Sequence, residues 1–253
     1  MELVLFTALG VGGATIIGAL LGFLFKNPSH RFNDITLSFA AGVMLAAAVI
    51  GLILPSVEAA NGVLGLVVTL LGIFLGAFCL NLIDRLVPHL HKLGDGAEEH
   101  HPEMTERLNK ILLFVIAIAI HNLPEGIAAG VSAGAGNTAE AIAVTAGIAL
   151  QNIPEGMVII APMIASGISR RRTFLIALAT GIVEVVGTLV GFLAVTVSSA
   201  ILPFALAFAG GTMLYVISDE MIPETHAHGN ERAATYALLF GFALMLVFEF
   251  FLG

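Results

Sequence analysis

Two six-residue phrases, His121-Asn122-Leu123-Pro124-Glu125-Gly126 and Gln151-Asn152-Ile153-Pro154-Glu155-Gly156, stand 30 residues apart, each inside a long apolar stretch. In both, the first and fifth residues are spaced i, i+4. His121 with Glu125, and Gln151 with Glu155, therefore project from one face of a helix about one turn apart. An ionisable side chain at the middle of a bilayer costs roughly 2.5 to 3.5 kcal/mol on the mildest insertion scale, so a cluster of them marks a functional site. Glu184, in a third apolar stretch, adds another carboxylate. Three acids, one imidazole and the amides of Asn122, Gln151 and Asn152 form a mixed nitrogen and oxygen set. Such a set suits a borderline divalent transition metal: zinc, cadmium, iron or manganese.

Pro124 and Pro154 lack an N–H, so the carbonyls of Ile120 and Leu150 are expected to lose their helical partners and to be free to face a pathway. One proline in a membrane helix is ordinarily a harmless kink. Two, each followed by glutamate and glycine, point to a shared purpose. Gly126 and Gly156 would let neighbouring helices approach closely.

The elements that must carry these residues follow from composition. The chain has 253 residues, 58% hydrophobic and 11% charged, with a mean hydropathy of +1.01. That is too apolar for a soluble domain of this size and predicts an integral membrane protein. The acid in Met1-Glu2-Leu3-Val4 sits where a secretory signal would carry positive charge, so the first segment is read as retained. A single cysteine, Cys79, allows no intrachain disulfide.

Apolar runs predict an all-α fold of eight transmembrane helices, over 3–25, 35–56, 62–87, 108–132, 139–167, 173–198, 201–221 and 231–252. All ten basic residues then fall on one face: Lys26, Arg31, Arg85, Lys92, Arg107, Lys110, Arg170, Arg171, Arg172 and Arg232. By the positive-inside rule that face is cytoplasmic and both termini are extracytoplasmic, in a multi-pass protein of the cell membrane. Counted from the cytoplasmic helix ends, His121, Glu125, Gln151, Glu155 and Glu184 occupy one slab roughly 9 Å thick at ~1.5 Å rise per residue.

The spans also contain an internal echo. Gly18-Ala19-Leu20-Leu21-Gly22-Phe23-Leu24 matches Gly187-Thr188-Leu189-Val190-Gly191-Phe192-Leu193, and Phe39-Ala40-Ala41-Gly42-Val43-Met44-Leu45 matches Phe208-Ala209-Gly210-Gly211-Thr212-Met213-Leu214. Both matches share an offset of 169 residues and join spans that run in opposite senses. We read one transmembrane domain, 1–253, with inverted repeats 1–87 and 173–253 around central helices 108–167. This 3+2+3 layout belongs to secondary transporters, whose sites lie at the midplane.

The twin phrases, the eight spans and a histidine-bearing segment after the third span closely resemble the ZIP (Zrt-, Irt-like) divalent metal transporters, in particular their GufA-like branch. The resemblance covers essentially the whole chain. It implies a helical bundle with a two-metal site: His121, Glu125, Gln151 and Glu155 around one ion, and Asn122, Asn152 and Glu184 with shared glutamates around a second. It also places Met44 beside the first ion. Where some relatives have aspartate this chain has neutral Asn152, which lowers the charge at the second position.

At the outer ends of spans 2 and 8 the resemblance suggests entrance acids, here Glu58 and Glu249, on a face without basic residues. Toward the cytoplasm, Asp219, Glu220 and Glu224 with His226 and His228 are placed to receive a released ion. The segment 88–107, with His89, His91, His100, His101 and several acids, is expected to be a cytoplasmic loop for weak metal capture or sensing.

The expected function is a secondary or facilitative transporter, not an enzyme, that moves zinc foremost, and also cadmium, iron or manganese, into the cytoplasm by alternating access. The resemblance suggests that spans 1, 4, 5 and 6 slide against 2, 3, 7 and 8, in a homodimer. The expected partners are membrane lipid, the divalent ion and that second copy, with no nucleic acid. An intramembrane metal-dependent protease would carry His-Glu-x-x-His, a string that does not occur here. A metal-sensing channel would bind the same ions and differ in its flux.

Overall fold

The computed structural model describes residues 2–25, 28–60, 62–94, 119–120, 122–165 and 167–252. Its helices are α1 (Glu2–Gly22), α2 (His30–Ala59), α3 (Gly62–Gly94), α4 (described over 122–134), α5 (Thr138–Ala165), α6 (Arg170–Val197), α7 (Leu202–Thr225) and α8 (Glu231–Leu252). Among the described residues no strand occurs, and seven helices are long and apolar enough to cross a membrane. The fold is that of a polytopic α-helical membrane protein.

Local chemistry moves several boundaries away from those read by hydropathy. α2 starts at His30, five residues before the expected 35, because the Ser29 hydroxyl accepts the Phe32 N–H at 3.1 Å and caps the first turn. α6 starts at Arg170 for the same reason, with Ser169 accepting from Arg172. α3 continues to Gly94, into the stretch expected to be loop; the rest of that loop, from 95, lies outside the described residues. Hydropathy sees the lipid-facing part of a helix, whereas caps and polar extensions set its true ends.

The helices pack in two groups. α1 lies against α5 and α6, and α4 lies on α6, where Gly126 and Gly130 face the backbone at Glu184 and Thr188. In the other group α2 pairs with α8 and α3 with α7. The groups meet where α5 runs along α2 and α8, a seam filled by Met44, Ala47, Val144, Ile148 and Met245, all buried. Large apolar side chains such as Leu64, Phe74 and Phe78 of α3 and Phe240 and Phe250 of α8 point outward, as lipid-facing surfaces require.

Residues separated by 169 positions recur at the crossings. A Cβ on Gly12 would come within 2.5 Å of the Gly181 carbonyl oxygen, and one on Gly181 within 2.8 Å of the Gly12 carbonyl oxygen. Gly42 faces first Leu238 and then Phe242 across α2 and α8, while Gly211 faces Ile73 across α7 and α3. Two wide helical turns recur one residue off that offset, 168 positions apart. Leu54 N–H reaches back five residues to the Val49 carbonyl, and Ile222 N–H to that of Ile217, each just before a proline, Pro55 or Pro223. A proline that cannot donate favours such a local widening.

At the end of the second group opposite the chain termini, buried Asp34 accepts from Asn230 Nδ2 at 2.8 Å and pairs with His228 Nδ1 at 3.0 Å. The His30 ring stacks on His228 with centroids 4.7 Å apart. This clasp ties the start of α2 to the turn between α7 and α8.

Candidate metal centre

α4, α5 and α6 bring the polar residues of the two phrases together in the interior. Asn122, Glu125, Gln151, Asn152 and Glu184 are all at most 2% exposed. The spacing within each phrase keeps its polar positions on one face, and close helix approach lets the faces meet. A Cβ on Gly126 would fall on the Glu184 backbone, and one on Gly156 on the Thr15 carbonyl, so both crossings require glycine. The helix runs unbroken through Pro154, and Pro124 lies within the described part of α4.

The hydrogen bonds join all three helices and α1. Gln151 Nε2 donates to Glu125 Oε1 at 2.5 Å, linking α5 to α4. Glu184 accepts three donors: the Thr15 hydroxyl at 2.6 Å, the Asn122 amide, and the Asn152 amide at 2.7 Å. Asn152 Nδ2 also reaches the Val11 carbonyl at 3.3 Å, so both of its N–H groups are engaged. Glu155 and Glu184 lie within electrostatic reach of Glu125.

The amides act in two ways at once. Each NH2 holds a carboxylate, and each carbonyl oxygen is left over. Asn122 Oδ1, Gln151 Oε1, Asn152 Oδ1 and Glu125 Oε2 are buried with no hydrogen-bond partner among the described residues. Buried acceptors without donors are costly, about 1–3 kcal/mol each, and native proteins keep few of them. A surplus of buried acceptor oxygens beside carboxylates is the arrangement a cation relieves.

The remaining expected site residues lie elsewhere. Met44 is fully buried on α2, on the seam facing α5. Glu58 and Glu249 sit near the ends of α2 and α8, and Glu140, in the first turn of α5, lies within electrostatic reach of both. Sequence reading passed over Glu140 because it precedes the phrase by three turns. Glu220 lies in the wide turn of α7. His226 bonds to the Ile222 carbonyl at 2.9 Å, and His228 is held by Asp34. Among the described residues no three histidine, cysteine, aspartate or glutamate side chains, those of the polar centre included, form a group able to hold a metal. His121, together with His100 and His101, lies outside the described residues.

Thr15 was also missed. Its signal was present in the repeat, because adding the offset of 169 to its number gives 184. An apolar span whose two threonines are Thr7 and Thr15 carries no local sign of which partner either has in another helix.

The fold and this enclosed carboxylate and amide cluster define a polytopic helical membrane protein with a polar centre sealed between its helices. Comparison with known proteins gives its family. Residues 91–249 match the family model described as ZIP Zinc transporter. Zinc transporter GufA of Myxococcus xanthus is 41% identical over 254 residues, covering 98% of each chain. Zinc transporter ZIPB of Bordetella bronchiseptica is 38% identical, over 95% of this chain and 78% of the relative. Zinc transporter ZIP11 of Homo sapiens is 32% identical, over 95% of this chain and 94% of the relative. The chain belongs to the ZIP zinc transporter family, in its GufA-like branch. It is a transporter of divalent metal ions rather than an enzyme.

Proposed function

We propose that this protein carries zinc foremost, with cadmium, iron and manganese as further substrates, across the cell membrane toward the cytoplasm. The observation that carries the reading is the set of buried acceptor oxygens on Asn122, Glu125, Gln151 and Asn152 with no donor among the described residues. His121, Glu125, Gln151 and Glu155 hold the ion, with Met44 approaching from α2. Glu58 and Glu249 collect cations at the outer mouth, and Glu220 lies on the exit side. The names of the relatives, all zinc transporters, support zinc as the first substrate to test.

Transport proceeds by alternating access between the two helix groups. The reciprocal Gly12–Gly181 approach, between residues one repeat offset apart, supports inverted repeats around an axis in the membrane plane. The ion stays with α4 and α5 while that group moves along α2 and α8. Basic residues confined to one face support cytoplasmic loops and extracytoplasmic termini. The family resemblance adds a homodimer.

The test is uptake of zinc, cadmium, manganese and iron into proteoliposomes. Saturable zinc uptake that is lost in Glu125→Ala and Glu155→Ala is expected. Undiminished uptake in both variants rejects the site, and single-channel currents would replace the carrier with a pore.

A further inference from the structure

Glu184 occupies a different chemical position from the other two acids of the centre. Its Oε1 accepts from Thr15 and Asn122, and its Oε2 from Asn152. Three side-chain donors on one fully buried carboxylate supply from the protein the stabilisation that a cation would otherwise give. The Asn152 amide is fixed in this orientation from two sides. Turning it over would set its oxygen against both the Val11 carbonyl and the Glu184 carboxylate.

An aspartate at 152 would change this arrangement. It would lose the N–H groups that reach Glu184 and the Val11 carbonyl, and its carboxylate would repel Glu184 unless a second cation stood between them.

We propose that Glu184 is an internal anchor rather than an ion ligand, that Thr15 is the residue positioning it, and that the centre consequently takes one divalent ion at a time. The donors hold Glu184 back, and Glu184 in turn aims the free oxygens of Asn122 and Asn152. This rests on the metal-binding reading of Glu125 and Glu155.

The experiment counts zinc bound to the purified full-length protein by equilibrium dialysis, taking the difference from the Glu125→Ala/Glu155→Ala protein so that ions on surface histidines cancel. The expected difference is one ion per chain, rising to two in Asn152→Asp. Two ions in the unsubstituted protein, or one in Asn152→Asp, overturns the proposal. A difference of zero instead sinks the metal-binding reading itself. In the same assay Thr15→Val is expected to bind zinc at least about 10-fold more weakly and Thr15→Ser as tightly as the original, since partners that orient a ligand set are worth about 10–100-fold in metal affinity. Unchanged affinity in Thr15→Val removes the positioning role. Should that variant fail to fold, the ion count still decides the stoichiometry.

Discussion

Thr15 and Glu184 are 169 residues apart in the chain and joined by a 2.6 Å hydrogen bond between buried side chains of α1 and α6. The separation equals the offset of the internal echo in the sequence. One position holds a hydroxyl donor and the other a carboxylate acceptor, at the point where the polar centre begins.

Gln151 links the two phrases through Glu125, and its removal tests whether the pair works as a unit. Gln151→Ala is expected to weaken zinc binding by about 10–100-fold, because Glu125 loses the donor that orients it and the centre loses one oxygen. Zinc-dependent thermal stabilisation of the purified protein measures this. A shift in melting temperature identical to that of the original protein would exclude the role.

The α4–α6 crossing has no slack. In Gly126→Ala the new methyl falls on the Glu184 backbone, which cannot rotate away as a side-chain tip would. A cost of about 1–3 kcal/mol is expected, typical of overpacking. Unfolding in detergent without metal should begin at a clearly lower temperature, and loss of zinc uptake should follow from the displaced Glu125 and Glu184.

Movement between the helix groups has a direct covalent test. A Cβ on Gly147 of α5 would lie 3.8 Å from the Ala47 Cβ of α2, the mean separation in a disulfide. Only the flexible end of Met245 must move aside. In a Cys79→Ser background, Ala47→Cys/Gly147→Cys is expected to stop zinc uptake when oxidised and recover it on reduction. Full uptake by the oxidised protein would show that α2 and α5 need not slide.

The Asp34 clasp is expected to serve the fold rather than the ion. Asp34→Ala leaves the Asn230 amide and His228 without their shared acceptor and loosens the α7–α8 turn. The loss of a buried acceptor is worth about 1–3 kcal/mol. Lower thermal stability with an unchanged order of preference among zinc, cadmium and manganese would agree. A changed order would assign the clasp to the pathway.

Much of this architecture was legible in one dimension. The long apolar runs and the paired Pro-Glu-Gly phrases both depend on local properties: hydropathy over about 20 residues and a side-chain period of 3.6. The resemblance to a transporter family rested on the same phrases. Helix ends were less legible, because the capping bonds of Ser29 and Ser169 operate beyond the apolar run.

The tertiary structure alone decided how the polar residues divide their work. Sequence spacing put Glu125, Glu155 and Glu184 at one depth but treated them alike. Only the crossing of α1 with α6 assigns Thr15 to Glu184, and only the packing of α4 on α5 assigns Gln151 to Glu125. The reason is physical. A residue's depth follows from its place along its own helix, whereas its partner depends on how closely distant helices approach and which faces they turn to each other. Those approaches are set by glycines such as Gly12, Gly126, Gly156 and Gly181, whose effect appears only when two helices are already in contact.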